Sequence, residues 1–344
     1  MRMRNFVMRR STRKKTAEGK RSNGRGKRWI APLILAFGVL LFSAEAYAWG
    51  VGMHMMHGST LLQNLQWLAG SLVPVLRAFP RDFLYGCVSA DIFIGKGSKY
   101  HADHCHNWST ARRLLQQADD PRLQSFACGY IAHLAADIIA HNVYVPNQLY
   151  LTSSTTRLGH IYWELRADEF ADQKYWKQVL DILSGANDQS DRFVQEIVKK
   201  DLVSFDMKKK LFTHAVKLYD LGKRQQAVSL VSRNSRWDVP QQYVQSLNRK
   251  CLNLIVNVLN HPEDSICYRY DPIGSQRLAE AKRLRQFSKR IHRKEPTDYI
   301  FDPPAEIESF FCCHAHSDES ASVGALRSDS VGHIHLNREP LHPS

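Results

Sequence analysis

The chain has 344 residues and a formal net charge of +14, long enough for one large domain or two small ones with a real core. Residues 1–48 hold twelve Lys/Arg against Glu18 and Glu45, a net +10, which leaves +4 for everything after them. So balanced a remainder gives no ground for a polyanion partner, and nucleic acid is the less favoured one. Seven cysteines, an odd number with no CxxC, exclude a zinc knuckle or an evident disulfide framework, while a single Cys251–Cys267 bridge stays open.

The basic residues up to Arg28 precede Trp29–Ser43, fifteen residues without a charge, and then Ala46-Tyr47-Ala48, a small-x-small site. This order predicts a signal peptide over 1–48, cleaved before Trp49, and a secreted or periplasmic protein. An uncleaved signal would instead leave the protein anchored in the membrane. Trp49-Gly-Val-Gly-Met-His54-Met-Met-His57 opens the mature part. Helical spacing is expected over Leu61–Leu76. Phe83–Ile94 is an apolar stretch ending in Asp91-Ile-Phe-Ile, followed by a Gly95-Lys-Gly97 loop. Tyr100-His101-Ala-Asp103-His104-Cys105-His106-Asn-Trp108 is a His-dense segment just before a helix over Ser109–Ala118, with Asn107 or Ser109 as its cap.

Gly129–Asn142 is rich in Ala, Ile and Leu with no internal Gly or Pro, so it predicts a buried helix. His133, Asp137 and His141 follow one another at i, i+4, i+8. At ~100° per residue they fall within about 80° of each other on one face. Polar groups on a dry helix must be satisfied. A buried His–Asp hydrogen bond would do so, and so would a divalent metal, which takes neutral imidazole and carboxylate. Ser153-Ser-Thr-Thr is a loop, and Leu158–Phe170 a second amphipathic helix with His160 and Glu164 at i, i+4. Tyr130, Tyr144, Tyr162 and Trp163 flank these residues. Aromatics box a quaternary ammonium, stack bases or pack helices, so they do not identify a substrate.

Beyond Asp172 the pattern stays helical: Val179–Leu183, Phe193–Val203, Lys208–Leu221, Arg224–Val231, Gln241–Leu259 and Ser275–His292 have apolar positions three to four apart. The class is all-α, a multi-helix bundle with a metal site between helices. The basic stretch Gln276–Lys294 is a solvated face or a helix against an acidic surface, with anionic lipid as a minor alternative. Residues 301–344 are polar and Pro-punctuated and hold Cys312-Cys313-His314-Ala-His316 and His333-Ile-His335; a disordered tail is favoured over a metal-catching one.

The order Trp49, His54, Asp91, His106, His133-xxx-Asp137, His141, His160-xxx-Glu164 resembles the zinc-dependent phospholipase C family, whose three-zinc site is shared by the fungal single-strand nucleases. Gly159-His-Ile-Tyr-Trp-Glu-Leu-Arg-Ala-Asp168 is similar to its uncharacterised bacterial branch. The resemblance is strongest over 49–172, within a helical domain of 49–300. It implies two or three zincs per chain. Trp49 would bind the first through its α-amine and carbonyl, with His54. Asp137 would bridge to a second, held by Asp91, His106 and His133. His141, His160 and Glu164 would hold the third. A zinc-activated hydroxide would then attack phosphorus, with Asp137 as bridge and Asp91 as ligand or proton acceptor. His104 can substitute for His106, and His57 is a spare imidazole. The family spaces the histidine after the bridging aspartate at six residues and this chain at four, which implies a repositioned or empty third site. The function expected is an exported zinc-dependent phosphoester hydrolase, phospholipase C-like, acting on a phospholipid or another phosphoester and in possible contact with a membrane surface. Two alternatives remain: a single-strand nuclease or nucleotidase with the same site, and a non-catalytic zinc-binding membrane-associated protein. Oligomeric state is not legible.

Overall fold

A computed structural model describes residues 49–93, 104–152, 157–198, 204–220, 237–291 and 296–303. The signal segment 1–48, the Gly95–Gly97 and Ser153–Thr156 loops, His101, Asp103, the Arg224–Val231 stretch and the tail histidines and cysteines lie outside them. The helices in chain order are α1 (Val51–Gln63), α2 (Val73–Ala78), α3 (Pro80–Ser89), α4 (Trp108–Gln117), α5 (Pro121–Ile139), α6 (Val145–Leu151), α7 (Arg157–Asp168), α8 (Gln173–Ser184), α9 (Asp188–Ile197), α10 (Phe205–Asp220), α11 (Gln241–Asn260) and α12 (Ser275–Ile291). Short 3-10 turns add Leu65–Trp67, Ala90–Ile92 and Ile266–Arg269, and a π turn covers Ala140–Tyr144. No strand occurs among the described residues, so the fold is an all-α multi-helix bundle.

α5 is the axis. Asp120 caps it by accepting from the Arg122 and Leu123 amides, and Pro121 fits its first turn, where no amide is needed. Nearly every residue from Leu123 to Ile139 is buried. With the π turn and α6 it makes a stretch, Pro121–Leu151, long and apolar enough to cross a membrane, but its most apolar window is 94% buried inside the bundle, as a core helix is. α3, α4, α11 and α1 pack around it.

The α3–α5 crossing depends on two glycines. A Cβ on Gly86 would stand 2.1 Å from the Phe126 carbonyl oxygen, and one on Gly129 would stand 1.9 Å from that of Phe83. The two backbones touch where neither helix has a side chain. That contact brings the 3-10 turn after α3, with Asp91, against the next turn of α5, with His133.

Helix boundaries differ from the periodicity in several places, α1 and α9 among them. Helix is expected over Leu61–Leu76, yet α1 starts at Val51 and stops at Gln63. The Gly52 and Gly58 that obscure it are contact points: a Cβ would stand 2.7 Å from the Trp176 indole and 2.8 Å from Cys87 Sγ, respectively. Packing offsets the ~1 kcal/mol that each glycine costs a helix. α9 starts at Asp188 rather than Phe193, because Asp188 and Asp191 suit the positive end of a helix that apolar spacing does not register. Cys251 and Cys267 are both free, buried thiols, so the open Cys251–Cys267 bridge is not formed. Cys267 points at the Leu254 carbonyl and Cys251 at that of Ala136.

Candidate metal centre

Five side chains from four segments converge. His54 comes from α1, Asp91 from the 3-10 turn after α3, His106 from the turn before α4, and His133 and Asp137 from α5. All are at most 2% exposed. Asp137 Oδ1 lies 3.3 Å from His54 Nε2, and Asp137 Oδ2 lies 3.3 Å from His133 Nε2 and 3.4 Å from His106 Nε2. Asp91 Oδ1 is 3.3 Å from His106 Nε2 and 3.8 Å from His133 Nε2, and the His106 and His133 Nε2 atoms are 3.2 Å apart.

These separations are informative. Two ligand atoms about 2.0–2.1 Å from a tetrahedral zinc stand ~3.3–3.4 Å from each other. The alternative, a set of ordinary hydrogen bonds, fails on geometry: His54 Nε2 and both Asp137 oxygens are buried without a hydrogen-bond partner. Buried groups left this way cost too much to persist unless something else satisfies them.

The ring tautomers agree. His133 Nδ1 donates to the Cys87 carbonyl at 2.9 Å, which leaves the Nε2 lone pair of the neutral ring for the cluster. Cys105 Sγ lies 3.2 Å from His106 Nδ1 and fixes that ring from behind. Burial first, then the neighbouring His133 charge, lowers His54 to about 4 against the pull of Asp137, so it is neutral at pH 7. For Asp137, burial alone would raise the carboxyl. The facing His133 and His54 imidazoles more than offset that and hold it well below the usual carboxylate range. Burial also opposes charging His133, but Asp137 and Asp91 outweigh it and raise that imidazole.

A second cluster joins the π turn to α7. Single ligand atoms of His141, His160 and Glu164 all lie within 4.8 Å of one another. His160 Nε2 is 2.9 Å from Glu164 Oε1. His141 Nδ1 donates to the Pro272 carbonyl, and its buried Nε2 has no hydrogen-bond partner. The residue after it loosens the helix: Asn142 Nδ2 donates to the Ile138 carbonyl at 2.9 Å and across to the Asp271 carbonyl at 3.0 Å. A side-chain donor among the helix carbonyls is one way that regular i→i+4 bonding is lost. His141 thus lies with the α7 pair, and its four-residue spacing from Asp137 does not scatter this trio.

His104 is not in the five-residue cluster. Its Nδ1 accepts from the His106 amide at 3.1 Å, while Thr110 Oγ1 donates to its carbonyl at 2.9 Å, so it shapes the turn that presents His106. His57 sits apart, 3.1 Å from Asn248 Oδ1 and edge-on to Trp49, and burial lowers it to about 4. Trp49 is fully buried: its indole donates to the Ala136 carbonyl at 3.1 Å and stacks on Tyr144 at 5.1 Å. The chain therefore enters α1 beside the turn that carries Asp137. Among the flanking aromatics, Tyr130, Tyr144 and Trp163 are buried packing groups and Tyr162 is partly exposed.

Residues 53–220 match a family model described as zinc dependent phospholipase C. The match supports membership of the zinc-dependent phospholipase C family. No curated protein and no solved structure matches it. The family match runs from α1 to the end of α10 and holds every cluster residue, while Trp49 lies just before it. The donor sets suit zinc, with imidazole and carboxylate in a dry pocket and no thiolate required. Sequence reasoning missed the supporting groups: the Cys87 and Pro272 carbonyls, and Asp168, whose Oδ1 accepts the Met53 amide at 3.1 Å and so caps α1 from the end of α7. Carbonyl partners leave no trace in residue type. Asp168 lay inside the recognised α7 motif, but only its contact gives it a role.

Proposed function

We propose that this protein is a zinc-dependent phosphoester hydrolase of the phospholipase C type, exported and loaded with two or three zincs. The family match and the two clusters support the reading. The single observation that carries it is Asp137, whose two oxygens face different imidazoles at the separation that shared zinc ligands keep. A carboxylate turned to both sides would suit a two-metal phosphoester site, where one group serves both ions.

His54 and Asp137 would hold one zinc, with the α-amine and carbonyl of Trp49 if the chain is cut before it. Asp137, Asp91, His106 and His133 would hold a second, and His141, His160 and Glu164 a third. Zinc, when bound, supplies an acidified water and offsets charge on the phosphoryl oxygens. The chain does the rest. Asp137 sets the spacing of the site. The Cys87 and Pro272 carbonyls hold His133 and His141 in the tautomer that presents Nε2. The buried walls keep the local dielectric low. Asp91, buried beside His106, would help hold the metal or accept a proton from the attacking water.

The experiment combines metal analysis with turnover on phosphatidylcholine micelles and on single-stranded DNA. Two or three zincs per chain and lipid hydrolysis are expected. Cleavage of DNA alone would make the site a nuclease's, and absence of zinc would end both readings. Asp137→Asn should abolish turnover with the fold kept. Full turnover in that variant would refute the bridging role.

A further inference from the structure

α12 is fixed at one end and bare at the other. Its start is locked to the π turn: the Pro272 carbonyl accepts a hydrogen bond from His141 Nδ1, and a Cβ on Gly274, at φ +63°, would stand 2.3 Å from the His141 carbonyl oxygen. Along the helix Ala281, Arg285 and Ser288, at i, i+4, i+7, face inward. The outward side carries Phe287 and Ile291, 58% and 57% exposed, the two most exposed large hydrophobic side chains among the described residues. They are one turn apart and form one ridge.

Arg283, four residues before Phe287, and Arg290, three after it, are its neighbours on the helix surface. Lys282, Arg283 and Arg290 are exposed and make no ion pair among the described residues. The one acid on the helix, Glu280, already faces Arg277 at 3.6 Å. An apolar ridge framed by uncompensated cations on a helix of low overall hydrophobicity is built for an interface plane.

We propose that α12 docks the protein on an anionic lipid surface. Phe287 and Ile291 enter the boundary between headgroups and acyl chains, and Lys282, Arg283 and Arg290 meet lipid phosphates and carboxylates. A nucleic acid would satisfy the arginines but leave Ile291 nothing to bury into. The ridge begins about 20 Å along the helix from Gly274, at 1.5 Å per residue, so docking holds the His141 cluster at a set reach from the lipid. This goes beyond the hydrolase reading and does not depend on it.

The test is co-sedimentation of the zinc-loaded protein with phosphatidylcholine vesicles, with and without phosphatidylserine. Binding should require phosphatidylserine and weaken with salt. The double variants Phe287→Ser/Ile291→Ser and Arg283→Glu/Arg290→Glu should each partition about tenfold less or weaker still. Zinc content and turnover on a water-soluble phosphoester should be unchanged in both. Wild-type partitioning in either variant, or no sedimentation with any vesicle, overturns the inference. Binding that needs the arginines but ignores Phe287 and Ile291 also overturns it and points to an acidic protein. Vesicle binding by a protein that hydrolyses no phosphoester keeps this inference and removes the hydrolase.

Discussion

Gly129→Ala tests whether the helix crossing creates the metal centre. The added methyl would sit 1.9 Å from the Phe83 carbonyl oxygen, where ordinary contact begins at 3.4 Å. The obstacle is backbone, so no rotamer change relieves it, and α3 must retreat by about 1.5 Å, the difference of those two distances. Overpacking of this kind costs about 1–3 kcal/mol, or roughly 4–8 °C in Tm at the middle of that range for a domain this large. The effect on the site is sharper. Asp91 follows α3, and its Oδ1 is 3.8 Å from His133 Nε2. Two atoms that share a zinc at about 2.1 Å each stand at most ~4.2 Å apart. A further 1.5 Å puts the pair out of reach. The assay is zinc per chain by metal analysis beside thermal unfolding, with Gly70→Ala as control, since nothing lies within 4 Å of a Cβ there. Full zinc content and an unchanged Tm in Gly129→Ala would refute the reasoning.

The remaining predictions concern protons, the second cluster and the chain's start. His57 has a folded-state pKa of about 4 against 6.5 for the free side chain, because burial disfavours its charge. As pH falls from 6.5 to 4 the unfolded chain takes up the proton first, so stability present above pH 6.5 is lost across that window, by about 3 kcal/mol for a fully buried group. Urea unfolding of chelated His57→Gln should therefore show a smaller acid loss than wild type, and equal losses would contradict the assignment. His141→Ala should release one zinc equivalent and leave the Asp137 cluster loaded, read by metal titration; loss of every zinc would show that the clusters are not separate. N-terminal sequencing of the exported protein should begin at Trp49, whereas a start at Met1 would remove the α-amine ligand.

Helical spacing alone placed His133 with Asp137 and His160 with Glu164, because i, i+4 partners meet on any helix. It could not choose between His104 and His106, two residues apart in an irregular turn where no period applies. The structure ties His104 to that turn through the His106 amide and Thr110, and still keeps a ligand atom of it within 4.8 Å of Cys105 and His106. A reading of one face also grouped His141 with Asp137, and the π turn at Asn142 left no periodic signal, its side chain reaching both the Ile138 carbonyl and that of Asp271, far along the chain. The basic α12 was legible as a helix, but its bare ridge was not, since exposure depends on what packs nearby.

Residue types, their order and their local spacing were enough to determine an all-α chain and the resemblance to its family and to nominate the candidate ligands, because helix periodicity and metal preference are properties of short segments. The tertiary structure decided which of those residues meet. It did so through backbone contact at Gly86 and Gly129, where only the absence of a side chain lets two helices come close enough to bring Asp91 beside His133.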